Sequence, residues 1–215
     1  CGGSIIKKDV VLTAAHCLPE ELDTNKSKLV AGSSILILPI LYYQERKIEE
    51  FIIHEDYWGD VMEDSSNDIA LIKLTRPFDF EASKGRIGTV CLAVMPPRPG
   101  NVVTVAGWGE TSPNGSSSWL MLAVTVPVIK DKICKNIHLY FYRPKLMFCA
   151  GENRKTTGRG DSGGPAVVRS GRKSLQVGIV SFGSPDYPYH SSVYIKVSPY
   201  IKWIADALKK LECYT

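Results

Sequence analysis

The chain has 215 residues, of which 44% are hydrophobic and 22% are charged, with 18 Gly and 13 Pro. This composition excludes a disordered, collagenous or coiled-coil chain and fits one large domain or two small lobes. Its 26 basic and 22 acidic residues leave a net charge of +4, which does not indicate nucleic-acid binding. The longest apolar run, 35–41, is far shorter than the roughly 20 residues of a membrane-spanning helix, so no membrane span is predicted.

Short β-rich segments separated by turn residues make up most of the chain. The predicted strands cover 10–12, 48–53, 69–74, 102–106, 121–129, 166–168 and 176–182, and the predicted loops cover 60–67, 96–100, 111–118 and 169–173. Because no helical pattern of 10–15 residues separates the strands, antiparallel barrels or a sandwich are favoured over a doubly wound sheet.

One helix is predicted, and it is the last element of the chain. Ser198 suits the N-cap and Pro199 suits the first helical position. Apolar residues then recur at helical spacing as far as Leu211, with lysines and an aspartate on the other side. We expect a helix over 198–211 that packs on a β core.

The six cysteines predict a secreted protein with disulfide bonds, although their spacing alone does not fix the pairing. There is no CxxC motif, and the histidines do not cluster with cysteines at zinc-ligand spacing, so no structural metal is expected. Sequons at Asn25 and Asn114 fit a secreted glycoprotein. The sequence opens on a strand-like segment without an initiator Met or a signal peptide.

The segment that most strongly indicates catalytic chemistry is Gly-Asp-Ser-Gly-Gly-Pro at 160–165. A serine between glycines can lie on a tight turn, with its hydroxyl exposed and nearby amides converging on an oxyanion. The nucleophile elbow of α/β-hydrolases has a similar pattern, but that fold needs an acid and then a histidine after the serine. Only Asp186 and His190 follow Ser162, and too little chain remains to build that fold.

Two upstream motifs complete a triad in a different order. TAAHC at 13–17 contains His16, and NDIAL at 67–71 contains Asp68. A serine hydroxyl is a weak nucleophile, so it needs a base within hydrogen-bond reach and an acid that orients the base. His16, Asp68 and Ser162 follow the chain order of one known Ser-His-Asp arrangement.

With these motifs the sequence resembles the trypsin/chymotrypsin-like serine proteases. The matching segments are CGGSII (1–6), TAAHC (13–17), NDIALIKL (67–74), AGWGET (106–111), FCAG (148–151), GDSGGP (160–165), GIVSFG (178–183) and VYIKVSPYIKWI (193–204). The resemblance implies an all-β fold of two packed six-stranded antiparallel barrels, about 1–95 and 96–197, with the catalytic cleft between them and the C-terminal helix at about 198–211.

The resemblance also assigns catalytic roles. It implies that His16 is the general base, Asp68 the acid that orients it and Ser162 the nucleophile. The backbone amides of Gly160 and Ser162 would form the oxyanion hole. Asp161 would pair with the amine released when a zymogen is cleaved. The chain begins after that cleavage point and without the first barrel strand, so the bare chain is expected to be poorly active.

Other implied positions concern substrate binding and disulfides. Ser181, Phe182 and Gly183 would pair with the substrate backbone, and disulfides would join Cys1 to Cys17 and Cys134 to Cys149. The specificity pocket would be lined by Thr156, Thr157 and Ser192.

Pocket chemistry separates this chain from trypsin itself. Thr156 stands where trypsins carry the Asp that pairs with substrate Lys or Arg, and Ser192 stands where Gly is common. We therefore expect cleavage after apolar or aromatic residues, with a narrower pocket for smaller side chains as the alternative. Arg159 either lies at the pocket rim or is a solvated loop charge.

Several family features are absent from the sequence. One family disulfide would need cysteines at Gly158 and Asp186, and another at Val103 and Val168, where paired valines suggest an apolar contact. Cys91 and Cys213 either bond to each other or leave Cys91 to hold an upstream propeptide or domain. The calcium loop at 33–43 lacks acidic ligands, and its apolar residues either pack inward or form a contact patch.

We therefore expect a secreted serine endopeptidase that cleaves polypeptides through an acyl-enzyme, is bound by protein inhibitors and needs no cofactor or metal. The alternative is a protease-like binding or regulatory protein without turnover. The presence of all three triad residues favours the enzyme.

Overall fold

The computed structural model describes residues 1–19, 21–36, 42–59, 65–112, 115–152, 155–171, 173–183 and 191–213. They form two antiparallel sheets, each curled into a half-barrel, followed by a short C-terminal helix. The expected all-β architecture is thus confirmed. Asn114, Asp186, His190 and part of the calcium-loop segment, 37–41, lie outside the described residues.

The first sheet contains five strands in the order β1-β2-β5-β4-β3. Its strands are β1 (Ser4–Lys7), β2 (Val10–Thr13), β3 (Lys28–Ala31), β4 (Gln44–Ile53) and β5 (Ala70–Leu74). Successive side chains of a strand point to opposite faces. In β2, Val10 and Leu12 therefore pack in the core shared with the second sheet, while Val11 packs inside the first half-barrel.

The second sheet has the order β8-β7-β10-β11-β12-β9, and a short strand β6 pairs in parallel with β11. Its strands are β6 (Cys91–Leu92), β7 (Val102–Gly107), β8 (Leu122–Pro127), β9 (Met147–Ala150), β10 (Pro165–Ser170), β11 (Lys173–Gly183) and β12 (Ser192–Lys196). Helix α1 (Asp131–His138) connects β8 to β9, and helix α2 (Ile201–Cys213) ends the described chain.

The predicted strands correspond to β2, β4, β5, β7, β8, β10 and β11, but helix α1 was not predicted. Its buried residues are Cys134 and His138, one turn apart. Its apolar residues Ile133, Cys134 and Ile137 recur at helical spacing, but the helix has only 8 residues. Apolar periodicity identifies a helix over a window of about 11–18 residues, so the pattern is too short to reveal this one in the sequence.

The predicted N-cap at Ser198 is wrong. Residues Ser198–Tyr200 form a 3₁₀ turn in which the Tyr200 amide donates to the Val197 carbonyl, at 3.0 Å, and α2 begins only at Ile201. Burial of the Tyr200 ring, which is 4% exposed, holds this tighter turn in place of a capped helix start.

One hydrophobic core joins the two half-barrels and the C-terminal helix. It contains Leu12 and Leu71 from the first sheet, Ile179 and Ile195 from the second, and Leu211 from α2. Because these elements share a core, the loops at their ends are held in fixed relative positions. No helix in the described ranges is long and apolar enough to cross a membrane.

Both expected disulfides, Cys1–Cys17 and Cys134–Cys149, are present. Cys91 is exposed and has a free thiol, and the side chain of Cys213 lies outside the described part of the structure. Val103 and Val168 belong to the same core cluster of the second sheet, as expected for an apolar contact in place of a disulfide.

Candidate active site

His16 lies in a 3₁₀ turn, Ala15–Cys17, that directly follows strand β2. The turn is anchored by the buried Ala14 and Ala15 and by the disulfide from Cys17 to Cys1. The His16 side chain is 20% exposed. An accessible imidazole is therefore presented on a backbone that is fixed from both sides.

Asp68, immediately before β5, is completely buried and accepts three hydrogen bonds. Its Oδ1 accepts the backbone N–H of His16 at 2.9 Å, and its Oδ2 lies 2.7 Å from His16 Nδ1. The hydroxyl of Ser181 also donates to Oδ2. A carboxylate in this position holds the proton of the imidazole on Nδ1 and leaves Nε2 as an acceptor.

Asn67, the residue before Asp68, is hydrogen-bonded to Tyr200 near the end of the described chain. Asn67 has a left-handed backbone with φ 59°, and its Oδ1 accepts the hydroxyl of Tyr200 at 2.8 Å. Its Nδ2 donates to the carbonyl of Asp56 at 3.1 Å. The ring of Tyr200 meets His54 edge-on, with centroids 5.4 Å apart. These contacts, which sequence reasoning missed, fix the backbone that carries Asp68.

Ser162 lies on a turn that packs against the N-terminal segment. Its carbonyl accepts the amide of Gly2 at 2.6 Å, and Cys17 Sγ lies 3.6 Å from the same oxygen. Gly163, with φ 79°, donates its amide to the carbonyl of Val180 at 2.8 Å. The serine and histidine turns are thus joined directly through residues 2 and 17.

Two amides of the serine turn have no acceptor among the residues that the structure describes. Asp161, Gly163 and Gly164 donate their N–H groups to backbone carbonyls, at 3.1, 2.8 and 3.0 Å. By contrast, the amides of Gly160 and Ser162 donate no hydrogen bond to any of the described residues. Two unpaired amides on the same turn, separated by one residue, are suited to binding an oxyanion.

The carboxylate of Asp161 is enclosed by backbone amides. Its Oδ1 accepts the N–H of Gly109 and its Oδ2 that of Gly158, each at 2.9 Å. A Cβ atom at Gly107 or Gly109 would overlap this carboxylate. In the described part of the chain no cation pairs with Asp161.

Hydroxyl groups fill the base of the expected specificity pocket. Ser192 Oγ lies 2.6 Å from Oγ1 of both Thr156 and Thr157. A Cβ atom built on Gly183 would lie 3.3 Å from the same Oγ. Ser192 therefore fills space between the two walls formed by 156–157 and 183.

Tyr194, which sequence reasoning missed, completes the pocket base. Its hydroxyl is buried without a hydrogen-bond partner in the described residues, and it borders Thr157 and Ser192. The ring stacks on Phe148 at 5.0 Å. Burial raises the pKa of Tyr194, so its hydroxyl is uncharged at neutral pH.

Phe182, on the expected substrate-binding segment, packs against the ring of His138. Their ring centroids are 5.7 Å apart in an edge-on arrangement, and His138 Nε2 lies 3.1 Å from Ser191 Oγ. Burial lowers the pKa of His138, which keeps it neutral near pH 7. Because α1 was not predicted from the sequence, neither was this contact.

Two groups of cysteine and histidine approach metal-site spacing in the described residues. They are Cys1, His16 and Cys17, and Cys134, His138 and Cys149. In both groups the two cysteines are joined in a disulfide, so they offer no thiolate to an ion.

Comparison with known proteins identifies the family of this chain. The family described as Trypsin matches residues 1–204. The chain belongs to the trypsin family. Members of this family are serine endopeptidases, so this trypsin-family chain is one as well. Such proteases act on polypeptide substrates and are bound by protein inhibitors.

Individual relatives cover most of this trypsin-family chain. Trypsin zeta of Drosophila melanogaster is 34% identical over 98% of this chain and 75% of its own length. U21-ctenitoxin-Pn1a of Phoneutria nigriventer is 31% identical over 95% of this chain and 86% of its own. The structure of mouse neuropsin, a serine protease, superposes with a TM-score of 0.83 at 29% identity, covering 97% of this chain and 88% of that one.

Crowding at Gly163 predicts a stability difference between two glycines. A methyl group at Gly163 would overlap Thr13 Oγ1 and lie 2.5 Å from Gly2 O, whereas Gly171, also at positive φ, has nothing within 4 Å. Gly171→Ala should cost about 1–2 kcal/mol from backbone strain. Gly163→Ala should cost roughly 1–3 kcal/mol more because of overpacking, measured by urea denaturation. Equal costs would contradict the packing described.

Proposed function

We propose that this serine endopeptidase cleaves peptide bonds with Ser162 as nucleophile, His16 as general base and Asp68 as the acid that orients it. The observation that carries the proposal is the buried Asp68 carboxylate, bonded to both the ring and the backbone of His16. That arrangement leaves Nε2 of His16 able to accept the Ser162 proton.

The proposed reaction passes through an acyl-enzyme. Ser162 Oγ attacks the substrate carbonyl while His16 Nε2 takes its proton, and the resulting imidazolium is stabilised by Asp68. His16 then protonates the departing amine, which leaves the acyl group on Ser162. Water, deprotonated by His16, attacks that ester and restores the free serine.

The two unpaired amides of the serine turn support an oxyanion hole. We assign stabilisation of the tetrahedral oxyanion to the N–H groups of Gly160 and Ser162, which donate to no other described residue. A donor of this kind is typically worth about 2.7–4 kcal/mol of transition-state stabilisation. The left-handed backbone of Gly160, φ 96°, helps to leave these amides outside the internal hydrogen bonding of the turn.

Disulfide bonds and exposed sites support secretion. Both Cys1–Cys17 and Cys134–Cys149 are formed, as is usual in oxidising compartments. Asn25, the first residue of a sequon, is exposed and accessible to glycosylation. We infer a secreted glycoprotein made as a zymogen, in which Asp161 receives the new amine terminus after cleavage.

The geometry of the specificity pocket favours substrates with a small or medium uncharged side chain before the cleaved bond. Thr156 and Tyr194 supply no negative charge to pair with a basic residue, and Ser192 reduces the space for a large aromatic one. Of the two specificities considered from the sequence, cleavage after smaller side chains has more support than cleavage after aromatic ones. Ser181, Phe182 and Gly183 would hold the substrate backbone beside this pocket.

The triad predicts two losses in the naturally processed protein. Ser162→Ala should abolish labelling by a fluorophosphonate probe. Asp68→Asn should lower kcat for peptide hydrolysis by about 10⁴-fold, because the wrong tautomer of His16 is favoured. Ser174→Ala, at an exposed serine on β11, is the matched control and should label like the parent. Absence of labelling in folded, processed parent protein would support a silent binding or regulatory protein instead.

The pocket base predicts a change in side-chain preference when volume is removed. Ser192→Gly should raise kcat/KM for substrates cleaved after Phe relative to those cleaved after Ala by about tenfold or more, because space opens between the walls. Thr156→Val, which removes a hydroxyl but keeps volume, should leave this ratio nearly unchanged. An unchanged ratio in Ser192→Gly would show that Ser192 does not limit pocket size.

The free thiol of Cys91 predicts a covalent link to an upstream segment. Cys91 is exposed and borders a cavity of about 360 Å³ lined by Gly88, Thr89, Val90, Lys173 and Ser174. We expect the naturally processed protein to release a smaller polypeptide on reduction, seen by comparing reducing and non-reducing electrophoresis. Cys91→Ser should release that polypeptide without reduction, whereas a single species under all conditions would refute the link.

A further inference from the structure

The positive charge of this protein is concentrated in one short stretch. Residues 130–145 contain five Lys or Arg and one Asp, which gives a net charge of +4. This stretch holds 5 of the 26 basic and 1 of the 22 acidic residues, so the rest of the chain contains 21 basic and 21 acidic residues. The formal net charge of the whole protein therefore arises from helix α1 and the segments flanking it.

These cations are available to a partner. Lys130, Lys132, Lys135 and Lys145 are exposed, and none forms an ion pair with any of the described residues. Lys132 and Lys135 are three residues apart on the helix, so their side chains lie on neighbouring positions of one face. Uncompensated like charges so close together raise the local potential and attract an anionic group.

The other titratable groups of the stretch do not cancel this charge. The exposed carboxylate of Asp131, which accepts the hydroxyl of Tyr142, offsets one of the five cations and is already counted in the net charge of +4. The imidazole of His138 is turned inward against Ser191 and Phe182, and burial lowers its pKa. At neutral pH the exposed face of α1 therefore remains strongly basic, while its buried face is neutral.

Apolar side chains are exposed among the same cations. Ile133 is 47% exposed, Leu139 is 61% exposed and Tyr140 is 80% exposed. Arg143 donates to the carbonyl of Tyr140, which places a guanidinium beside the aromatic residue. Exposed Tyr and Arg are typical of the residues that anchor protein interfaces. A sulfated polysaccharide would match the cations alone and would leave the apolar side chains unused.

We propose that this basic surface, formed by Lys130, Lys132, Lys135, Tyr140 and Lys145, binds an acidic segment of a protein partner that also presents an aromatic or aliphatic side chain. The proposal does not depend on the catalytic triad. It assigns charge complementarity to the lysines and apolar contact to Tyr140 and its neighbours, so the two contributions can be separated by mutation.

The charge contribution is tested by fluorescence anisotropy with naturally processed protein carrying Ser162→Ala, which removes the proposed nucleophile. The probe is a labelled synthetic peptide of alternating Glu and Tyr. Replacing its Glu residues by Gln, or introducing Lys132→Glu, Lys135→Glu and Lys145→Glu together, should weaken binding by about tenfold or more. The same charge change on α2, Lys202→Glu, Lys209→Glu and Lys210→Glu, should change affinity less than about twofold.

The apolar contribution is tested with Tyr140→Ala. This variant should weaken peptide binding several-fold without changing its dependence on salt, since no charge is lost. Trp58→Ala, at another aromatic side chain that is 83% exposed, is the control and should have no effect. Thermal melting of each variant checks that it is folded. If the triple variant does not fold, Lys132→Glu and Lys145→Glu are used singly. Each should lower the affinity for the peptide by about two- to threefold.

Three outcomes would overturn the proposal. Binding that the α2 variant weakens as much as the α1 variant would show only non-specific charge attraction. A heparin fragment that binds more tightly than the peptide, with no effect of Tyr140→Ala, would assign the surface to a polysaccharide. Peptide binding that is undetectable at low salt would show that the surface binds no such segment. None of these outcomes affects fluorophosphonate labelling of the parent protein, so the proposed protease activity is judged separately.

Discussion

The structure depends most on one buried carboxylate. Asp68 is completely excluded from solvent, and burying an ionised carboxylate is costly unless hydrogen bonds compensate. Its donors come from both halves of the molecule, namely His16 after β2 of the first sheet and Ser181 in β11 of the second. Satisfying this group therefore requires that the two half-barrels dock in one relative position. The same docking brings Cys17, the residue after His16, against the carbonyl of Ser162 in the serine turn.

Contacts around this carboxylate extend the constraint to both ends of the chain. The left-handed Asn67 is held by Tyr200, which precedes α2, so the C-terminal helix and the Asp68 loop are fixed together. At the other end, the amide of Gly2 donates to the carbonyl of Ser162. The candidate catalytic residues are thus positioned by segments from the beginning, middle and end of the described chain, and the rigidity of the site comes from the shared core.

The parts of this arrangement that could be predicted from sequence are those with local motifs. His16, Asp68 and Ser162 stand in short, distinctive segments. Strands β2 and β5 are mostly apolar, interrupted in β5 only by Lys73, because both are buried on both faces. The bond between Tyr200 and Asn67 joins residues 133 positions apart, and although both stand in segments that resemble the family, neither segment indicates that the two residues meet. Such contacts are decided by three-dimensional packing, which a residue pattern does not contain.

Helix α1 shows why an element missed in the sequence can matter for function. The helix has only 8 residues, too few for its apolar spacing to identify it in the sequence, yet its His138 contacts Phe182 on the expected substrate-binding segment. The opposite face carries the lysines that account for the net charge of the protein. A close-packed interior transmits displacement instead of absorbing it. We therefore expect a ligand that shifted α1 to displace His138 and to change its contact with Phe182, on the segment proposed to hold the substrate backbone.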